Sequence, residues 1–338
     1  MTSAPPTIQS IGEHALIARL RGRVGAPPPW VTVGIGDDAA VMQPARGTFE
    51  VVTTDSLVEG VHFRRDWTTA ASIGHKALAV NLSDLAAMGA APRAALLSLV
   101  LPCEFPLAHF DALVDGFVTL AEHEKLALVG GNLTRSPGPV VIDVTLIGAA
   151  RPRRVLTRSG ARQGDELYVT GAVGAASAGL AHLGNGRDRA TLDPDALACV
   201  ARYERPEARV ACGVQVARNR AASACIDLSD GLADAAHQLA AASHTGVVLD
   251  AESIPLHPGA RSWAETAGVD PVTFALGGGE DYELLFSVGR RQRRAFKSVV
   301  ARCQGLAVTL VGRLTAEPGP WLARAGRLEP LGGGFTHF

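Results

Sequence analysis

Residues 76–89 read KALAVNLSDLAAMG, and this stretch lies within a longer run whose apolar residues recur at helical spacing. The run predicts a helix over residues 70–88 that stops at Gly89, with Pro92 just beyond it. Asp84 lies inside this apolar run, where a carboxylate costs several kcal/mol unless it is paired or bound to a metal. Asn81 lies one helical turn earlier and shares a face with Asp84. We expect a polar site on this face, and an exposed polar stripe is the alternative interpretation.

Other acidic residues lie beside glycine or at the ends of predicted strands. The short β-branched run 31–35 stops at residues 36–38 (GDD), and the predicted strand 49–54 ends at Asp55. Carboxylates that converge from such positions repel one another unless a cation lies between them. Hard oxygen ligands of this kind suit Mg²⁺, which usually works alongside substrate phosphates. For each acid alone an Asx turn is the alternative, but together the acids predict a Mg-nucleotide site built from separate parts of the chain.

The most informative local motif is DLSDG at residues 227–231. If a helix begins at Ser229 or Asp230, then Asp227 and Asp230 flank its N-terminus. Backbone N–H groups there favour phosphate, and the carboxylates can hold the cation that bridges it. An ordinary N-cap is the alternative, because Asp and Ser are favoured capping residues.

A glycine-rich segment, GGGEDYE at residues 277–283, leads into an apolar strand. Three glycines let the backbone approach a ligand closely, and the acids that follow would then face that ligand. A flexible hairpin loop would look similar. The P-loop and the complete Rossmann fingerprint are both absent, so any nucleotide is held in another way.

Length and composition favour an ordinary globular protein with two domains. The chain has 338 residues, of which 47% are hydrophobic and 19% charged, and its formal net charge is -1. Helices and strands interleave on both sides of the basic and rigid segment 151–154 (RPRR), so we expect an α/β or α+β protein with domains 1–150 and 151–338. The near-zero charge argues against a nucleic-acid partner.

Cysteine usage and hydropathy indicate the compartment. The 5 cysteines are widely spaced and form no C-x-x-C pair, so we expect free thiols in a reducing environment. No apolar run approaches the roughly 20 residues that cross a bilayer, and the N-terminus lacks a signal-peptide pattern. We therefore expect a soluble, cytoplasmic protein with no membrane partner.

Seven short motifs, in order along nearly the whole chain, carry a resemblance to a known family. They read GIGDDAA (34–40), TDSLVEGVHF (54–63), KALAVNLSDLAAMG (76–89), LTRSGA (156–161), IDLSDGL (226–232), GGEDYEL (278–284) and THF (336–338). In this combination the chain closely resembles the thiamine-monophosphate kinases, which belong to the aminoimidazole-ribonucleotide-synthetase-like ATP enzymes. The resemblance implies an N-terminal α/β domain that binds ATP and Mg²⁺ and forms a homodimer through a shared barrel of sheets. It also implies a C-terminal α/β domain that closes the active-site cleft.

The implied reaction is direct, in-line transfer of the γ-phosphoryl group of ATP to thiamine monophosphate, without a phospho-enzyme. An anionic phosphate nucleophile needs little general-base help, so no covalent or general-base residue is expected, and several Mg²⁺ ions would supply the positive charge. The residues that match metal positions of the family are Asp38, Thr53, Thr54, Asp55, Asp84, Asn132, Asp227 and Asp230. Those that match ATP positions are Gly131, Asn132, Arg158 and Ser229, and those that match the thiamine site are His62, Glu280 and Phe335.

Two departures from the family pattern bear on this assignment. Asn132 stands where many members have Asp, so one negative charge is lost and one ion should bind more weakly. Residues 331–335 (LGGGF) are also richer in glycine than the family pattern, which bears on the aromatic stacking role that the resemblance implies for Phe335. Two alternatives are another ATP-dependent enzyme of the same superfamily, of the aminoimidazole ribonucleotide synthetase type, and a non-catalytic nucleotide sensor. The first fits the His62 and Glu280 motifs poorly, and the retained acids argue against the second.

Overall fold

The structure is a computed structural model that describes residues 5–186, 188–303 and 305–334. The chain divides into two compact units. The first unit comprises the chain up to Leu85 together with Ala91–Ala150, and the second comprises Ala86–Ala90 and the chain from Arg151 onward. Phe335 and the motif at 336–338 lie outside the described residues.

The first unit combines helices with one main sheet and a small hairpin. Its elements are α1 (Ile8–Ile11), α2 (Glu13–Arg23), β1 (Val31–Val33), β2 (Val41–Met42), β3 (Phe49–Val58), α3 (Ala70–Ala87), β4 (Ala91–Pro102), α4 (Leu107–His123), β5 (Ala127–Ser136) and β6 (Val141–Ala150). The last residues of α3 belong to the second unit.

The main sheet of this unit is open and has the order β3-β6-β4-β5. Strand β6 pairs antiparallel with both β3 and β4, and β5 adds to β4 in parallel. Along β6, Ile142, Val144 and Leu146 are fully buried, whereas the residues between them are half-exposed. This period of two gives the sheet a covered face and an open face. Asp55 lies directly opposite Val144 and therefore faces the covered side.

The second unit contains the remaining elements. They are β7 (Glu166–Thr170), α5 (Ala175–Gly184), α6 (Pro194–Glu204), α7 (Val210–Arg218), β8 (Ala224–Asp227), α8 (Leu232–Ala242), β9 (Gly246–Asp250), α9 (Pro258–Ala267), α10 (Pro271–Gly277), β10 (Leu284–Val288), α11 (Arg293–Val300), β11 (Val308–Thr315), β12 (Pro320–Arg324) and β13 (Arg327–Pro330). Short 3₁₀ turns occupy Arg189–Thr191 and Ala251–Ser253.

The sheet of the second unit has the order β13-β12-β9-β11-β7-β10-β8. Its neighbours pair antiparallel except for β9 and β12, which are parallel. Every residue of β10 is buried, as expected for a strand covered on both faces. Apolar side chains of the central strands pack with α8 in one continuous core that includes Leu167, Ile226, Leu239 and Val311.

Several predicted elements need correction. The predicted strand 49–54 continues to Val58, so Asp55 lies within β3 and does not follow it. Strand β5 runs through Gly130 and Gly131 and places Asn132 within a strand. The helix expected to begin at Ser229 or Asp230 begins at Leu232, with Gly231 as its N-cap, so both polar residues lie in the preceding turn.

The cysteines are free thiols: Cys199, Cys212 and Cys225 are buried, and Cys103 and Cys303 are half-buried. Among the helices in the described part of the chain, none is both long and apolar enough to span a membrane.

Candidate active site

An acid pair, Asp55 and Asp84, is the clearest polar feature of the first unit. Burial and the neighbouring carboxyl of Asp84 raise the pKa of Asp55 to about 6. The hydroxyl of Thr53 donates a hydrogen bond of 2.5 Å to Oδ2 of Asp84. Strand β3 therefore presents Thr53 and Asp55, two residues apart on its covered face, to Asp84 on α3.

The acid pair and Thr53 offer only oxygen donors, which suit Mg²⁺ better than a soft metal. Within residues 5–186, 188–303 and 305–334, no group of three or more His, Cys, Asp or Glu side chains is arranged to hold a metal ion. A Mg²⁺ ion bound through one or two carboxylates completes its coordination with water and substrate phosphate oxygens. The donor set thus fits an ion that binds together with a phosphate-bearing substrate.

Thr54 lies on the other face of β3. Its hydroxyl donates to the carbonyl oxygen of Val144 at 3.1 Å and lies 3.1 Å from the hydroxyl of Thr145. The alternation of side chains along the strand separates the Thr54 hydroxyl from the acid pair. The structure therefore groups Thr53, but not the Thr54 side chain, with Asp55 and Asp84.

The other predicted ligands of the first unit are exposed. The backbone N–H of Asp38 donates to Oδ1 of Asp37 at 2.9 Å, a bond to the adjacent residue and not the bond of an Asx turn. Asn132 lies on β5 opposite Ser98. At Gly131 the backbone has φ 156°, and a Cβ would lie 1.8 Å from the carbonyl oxygen of Leu97, so only glycine fits beside β4.

His62 lies in the turn after β3 and is half-buried. Its Nδ1 accepts a 3.0 Å hydrogen bond from the backbone N–H of Val58, so the neutral ring carries its proton on Nε2. The ammonium group of Lys76 donates to the carbonyl oxygen of His62 at 3.1 Å, and the Lys76 side chain is almost completely buried. Sequence reasoning assigned no role to Lys76, although a lysine at the start of an apolar helical run was a usable signal.

In the second unit, two predicted motifs meet through their backbones. They are the DLSDG segment (residues 227–231) and the glycine loop (residues 278–283). The N–H of Glu280 donates to the carbonyl oxygen of Ser229 at 2.7 Å, and the N–H of Tyr282 donates to that of Leu228 at 3.1 Å. In return, the N–H of Leu228 donates to the carbonyl oxygen of Glu283 at 2.8 Å. The predicted ATP residue Ser229 and the predicted thiamine residue Glu280 are therefore held next to each other.

The glycines of these motifs are required by this close approach. A Cβ at Gly279 would lie 2.7 Å from the carbonyl oxygen of Ser229. A Cβ at Gly231, where φ is 100°, would lie 2.8 Å from the carbonyl oxygen of Gly278. Side chains at either position would push the two segments apart.

The C-terminal segment reaches the same region of the second unit. Leu331 is buried in the core, and the carbonyl oxygen of Gly333 lies close to Gly277. A Cβ at Gly334 would lie 2.3 Å from the carbonyl oxygen of Asp230. The unusual glycine content of this segment is thus explained in part by its close contact with the DLSDG segment.

Arg158 lies against the exposed side of α8. Its guanidinium donates to Oε1 of Gln238, and the amide group of Gln238 donates to Asp234. The hydroxyl of Ser243 also donates to the carbonyl oxygen of Arg158 at 3.1 Å. These linked side chains, which sequence reasoning missed, orient the Arg158 guanidinium, a group suited to phosphate oxygens.

Comparison with known proteins assigns the class of this fold and site. The model of the AIR synthase related protein, N-terminal domain, matches residues 36–150. The model of the corresponding C-terminal domain matches residues 162–322. The chain is thus a mixed α/β protein with the two-domain architecture of AIR synthase related proteins.

Individual relatives narrow the assignment. The thiamine-monophosphate kinase of Escherichia coli strain K12 is 40% identical over 309 residues, which cover 90% of this chain and 91% of the relative. The crystal structure of thiamine-monophosphate kinase from Stenotrophomonas maltophilia is similar at a TM-score of 0.81 and 39% identity, with coverage of 92% and 96%. A structure of AaThiL complexed with AMPPCP and TMP has a TM-score of 0.77 at 32% identity and covers 99% of this chain and 100% of its own. The chain belongs to the thiamine-monophosphate kinase family.

Proposed function

We propose that this enzyme phosphorylates thiamine monophosphate with ATP, giving thiamine diphosphate and ADP. The observation that carries the proposal is the similarity, over essentially the whole chain, to a structure that binds AMPPCP and TMP together. The proposal includes direct in-line transfer, since a substrate phosphate is already a competent nucleophile. No protein side chain then needs to form a covalent intermediate.

In this proposal the acid pair and Thr53 hold Mg²⁺, with Asp38, Asn132, Asp227 and Asp230 as further ligands. Bound Mg²⁺ would supply positive charge that lets two anionic phosphates approach. The protein's contribution is to keep two carboxylates together despite their repulsion. Burial first, and the neighbouring Asp84 carboxyl second, raise the pKa of Asp55 to about 6.

The thiamine end of the substrate would be held by Glu280 and His62. Thiamine carries a positively charged thiazolium ring, and a carboxylate at Glu280 complements that charge. His62 offers an N–H donor at Nε2, because its Nδ1 is already occupied by the backbone of Val58. Lys76 keeps the His62 turn in place through the carbonyl oxygen.

The phosphates of ATP would be contacted by Ser229, Arg158 and the backbone at Gly131 and Asn132. Ser229 is exposed and precedes the helix α8, and its hydroxyl donates to Oδ2 of Asp230 at 3.5 Å, beside a proposed metal ligand. Arg158 presents a planar guanidinium that suits two phosphate oxygens at once.

The decisive test is ADP release by the purified protein with Mg-ATP, with and without thiamine monophosphate, together with mass analysis of the product. Equal amounts of thiamine diphosphate and ADP are expected. ATP binding without ADP release would instead identify a nucleotide sensor. Turnover with formylglycinamidine ribonucleotide in place of thiamine monophosphate would transfer the protein to the aminoimidazole ribonucleotide synthetase type.

We also infer that the chain forms a homodimer through the open face of the β3-β6-β4-β5 sheet, with the sheets of the two copies forming a shared barrel. On that face Val52 is 62% exposed and Leu96 is 37% exposed. Their strands are joined through β6, where Thr145 pairs with both Thr54 and Leu96. Apolar side chains on an open sheet face are typical of an interface.

A charge at this face should disrupt the dimer. Val52→Glu places a carboxylate in the inferred interface, and we expect light scattering during size-exclusion chromatography to show a monomer. The same charge at Val61, which is 64% exposed in a turn beyond β3, serves as the control and should leave the dimer intact. A wild-type chain that elutes as a monomer would refute the inferred interface.

A further inference from the structure

The glycine loop contains two non-glycine residues with a left-handed backbone. The φ angles are 67° at Glu280 and 51° at Tyr282, on either side of Asp281. L-residues avoid this region because the Cβ approaches the backbone too closely. Such conformations persist only where surrounding contacts impose them, and they cluster at functional sites.

Asp281 fixes the middle of the loop. Its carboxyl is buried and accepts hydrogen bonds from the backbone N–H of Gly174 at 2.6 Å and of Ala176 at 3.1 Å, at the start of α5. The guanidinium of Arg202 also donates to the Asp281 carbonyl oxygen at 3.1 Å. Side chain and main chain of this residue are therefore both anchored.

Glu283 fixes the end of the loop. It is 1% exposed and accepts from Arg202 at 2.8 Å, from Nε of Arg209 at 2.7 Å and from the hydroxyl of Thr170 at 2.6 Å. The two guanidiniums are themselves mostly buried. Removing the Glu283 charge would leave two cations close together with their main partner gone.

We propose that Glu283, with Arg202 and Arg209, is a positioning residue that imposes the left-handed conformation of the glycine loop and thereby aims Glu280 at the thiamine end of the substrate. This inference rests on the proposed function. It assigns a role to a buried ion-pair cluster that lies outside the reacting groups. Because the glycine loop and the DLSDG segment share three backbone hydrogen bonds, a displacement of the loop would also move the DLSDG segment.

The variant Glu283→Gln tests this role, because it keeps the shape of the side chain and removes its charge. We expect KM for thiamine monophosphate to rise at least about tenfold while kcat changes less than about threefold, as for loss of a contact away from the reacting atoms. Hydrogen exchange of the backbone amides in residues 278–283 should become faster.

Asp165→Asn provides the matched control. Asp165 is also buried and accepts from the hydroxyls of Ser223 at 2.7 Å and Ser287 at 3.1 Å, at the opposite end of β7 and β10. The Asp165→Asn variant should have a lower melting temperature and an unchanged KM for thiamine monophosphate. If Glu283→Gln does not fold, Arg209→Lys keeps the charge and loses the planar fork, and a smaller rise in KM is expected.

The outcomes distinguish a failure of the proposed function from a failure of the positioning role. A wild-type enzyme that makes no thiamine diphosphate overturns the proposed function and the positioning role with it. An active wild type combined with an unchanged KM in the folded Glu283 or Arg209 variant overturns the positioning role alone. A similar rise in KM for Asp165→Asn would show a general effect of destabilisation and would equally overturn it.

Discussion

Replacing Asp55 with asparagine should stabilise the metal-free protein while removing its activity. The pKa of Asp55 rises from 3.8 to about 6 because of burial and the Asp84 carboxyl. The rise corresponds to about 3 kcal/mol when each tenfold change in the ionisation constant counts ~1.4 kcal/mol. Because solvent reaches part of this side chain, screening reduces the effect, and we expect a gain of about 1–2 kcal/mol.

The direction of the pKa change determines how the stability contribution of Asp55 depends on pH. A carboxyl whose pKa is raised on folding stabilises the fold in its protonated form, so its contribution is complete below about pH 4 and is lost as pH rises through about 6. Wild type should therefore lose stability relative to Asp55→Asn between these values. Above them the difference between the two proteins should be constant.

Urea unfolding in the presence of a chelator, at about pH 4 and about pH 8, measures this difference. Asp66→Asn is a suitable control, because Asp66 is an exposed acid of the same unit paired with Arg64 at 2.9 Å, and its loss should bring no gain. Asp55→Asn should also lack the rise in melting temperature that Mg-ATP gives to wild type. Equal or lower stability of Asp55→Asn at about pH 8 would refute the reasoning that the Asp55 charge is unfavourable because of its burial and the neighbouring Asp84 carboxyl.

Three further changes test other parts of the site. Lys76→Met removes the hydrogen bond to the His62 carbonyl oxygen, and steady-state kinetics should show KM for thiamine monophosphate rising several-fold. Gly334→Ala places a Cβ 2.3 Å from a backbone oxygen of the DLSDG segment, whereas Gly332→Ala meets nothing within 4 Å. Gly334→Ala should lower kcat/KM about tenfold by displacing the C-terminal segment, and Gly332→Ala should leave kcat/KM unchanged. Asn132→Asp restores a carboxylate, so a Mg²⁺ titration should show half-maximal activity at a lower concentration, and an unchanged midpoint would argue against Asn132 as a ligand.

The helix around Asp84 could be predicted from sequence because its signal is local. Apolar period, a terminal glycine and a following proline all agree, and α3 spans Ala70–Ala87, as expected within one residue. The location of Asp55 was predicted less accurately than that helix. The polar run at residues 53–56 looks like a strand end, but antiparallel pairing with β6 continues the strand to Val58. Tertiary pairing here overrides the local preference of polar residues for turns.

The anchoring of the glycine loop was beyond local reasoning. Glu283 is held by Thr170, Arg202 and Arg209, which lie far away in the sequence. Each of these residues alone resembles an ordinary surface residue of a helix or strand end. Their convergence depends on the order of strands in the second unit, which the sequence pattern did not specify. The left-handed angles at Glu280 and Tyr282 are likewise invisible in a sequence that has glycine only before them.

The buried Glu283 and Asp281 and the half-buried Asp55 have different neighbours, and the contrast supports the assignment of the site. Glu283 is paired with two guanidiniums. Asp281 accepts two backbone N–H donors, although burial still raises its pKa to about 7. Asp55 instead faces a second carboxyl, which together with burial raises its pKa. A fold selected for stability alone would replace one member of such a pair, because an amide or apolar side chain there removes the repulsion. The pair is therefore best explained by a ligand that needs both negative charges. An unfavourable contact between two acids is expected where function outweighs stability.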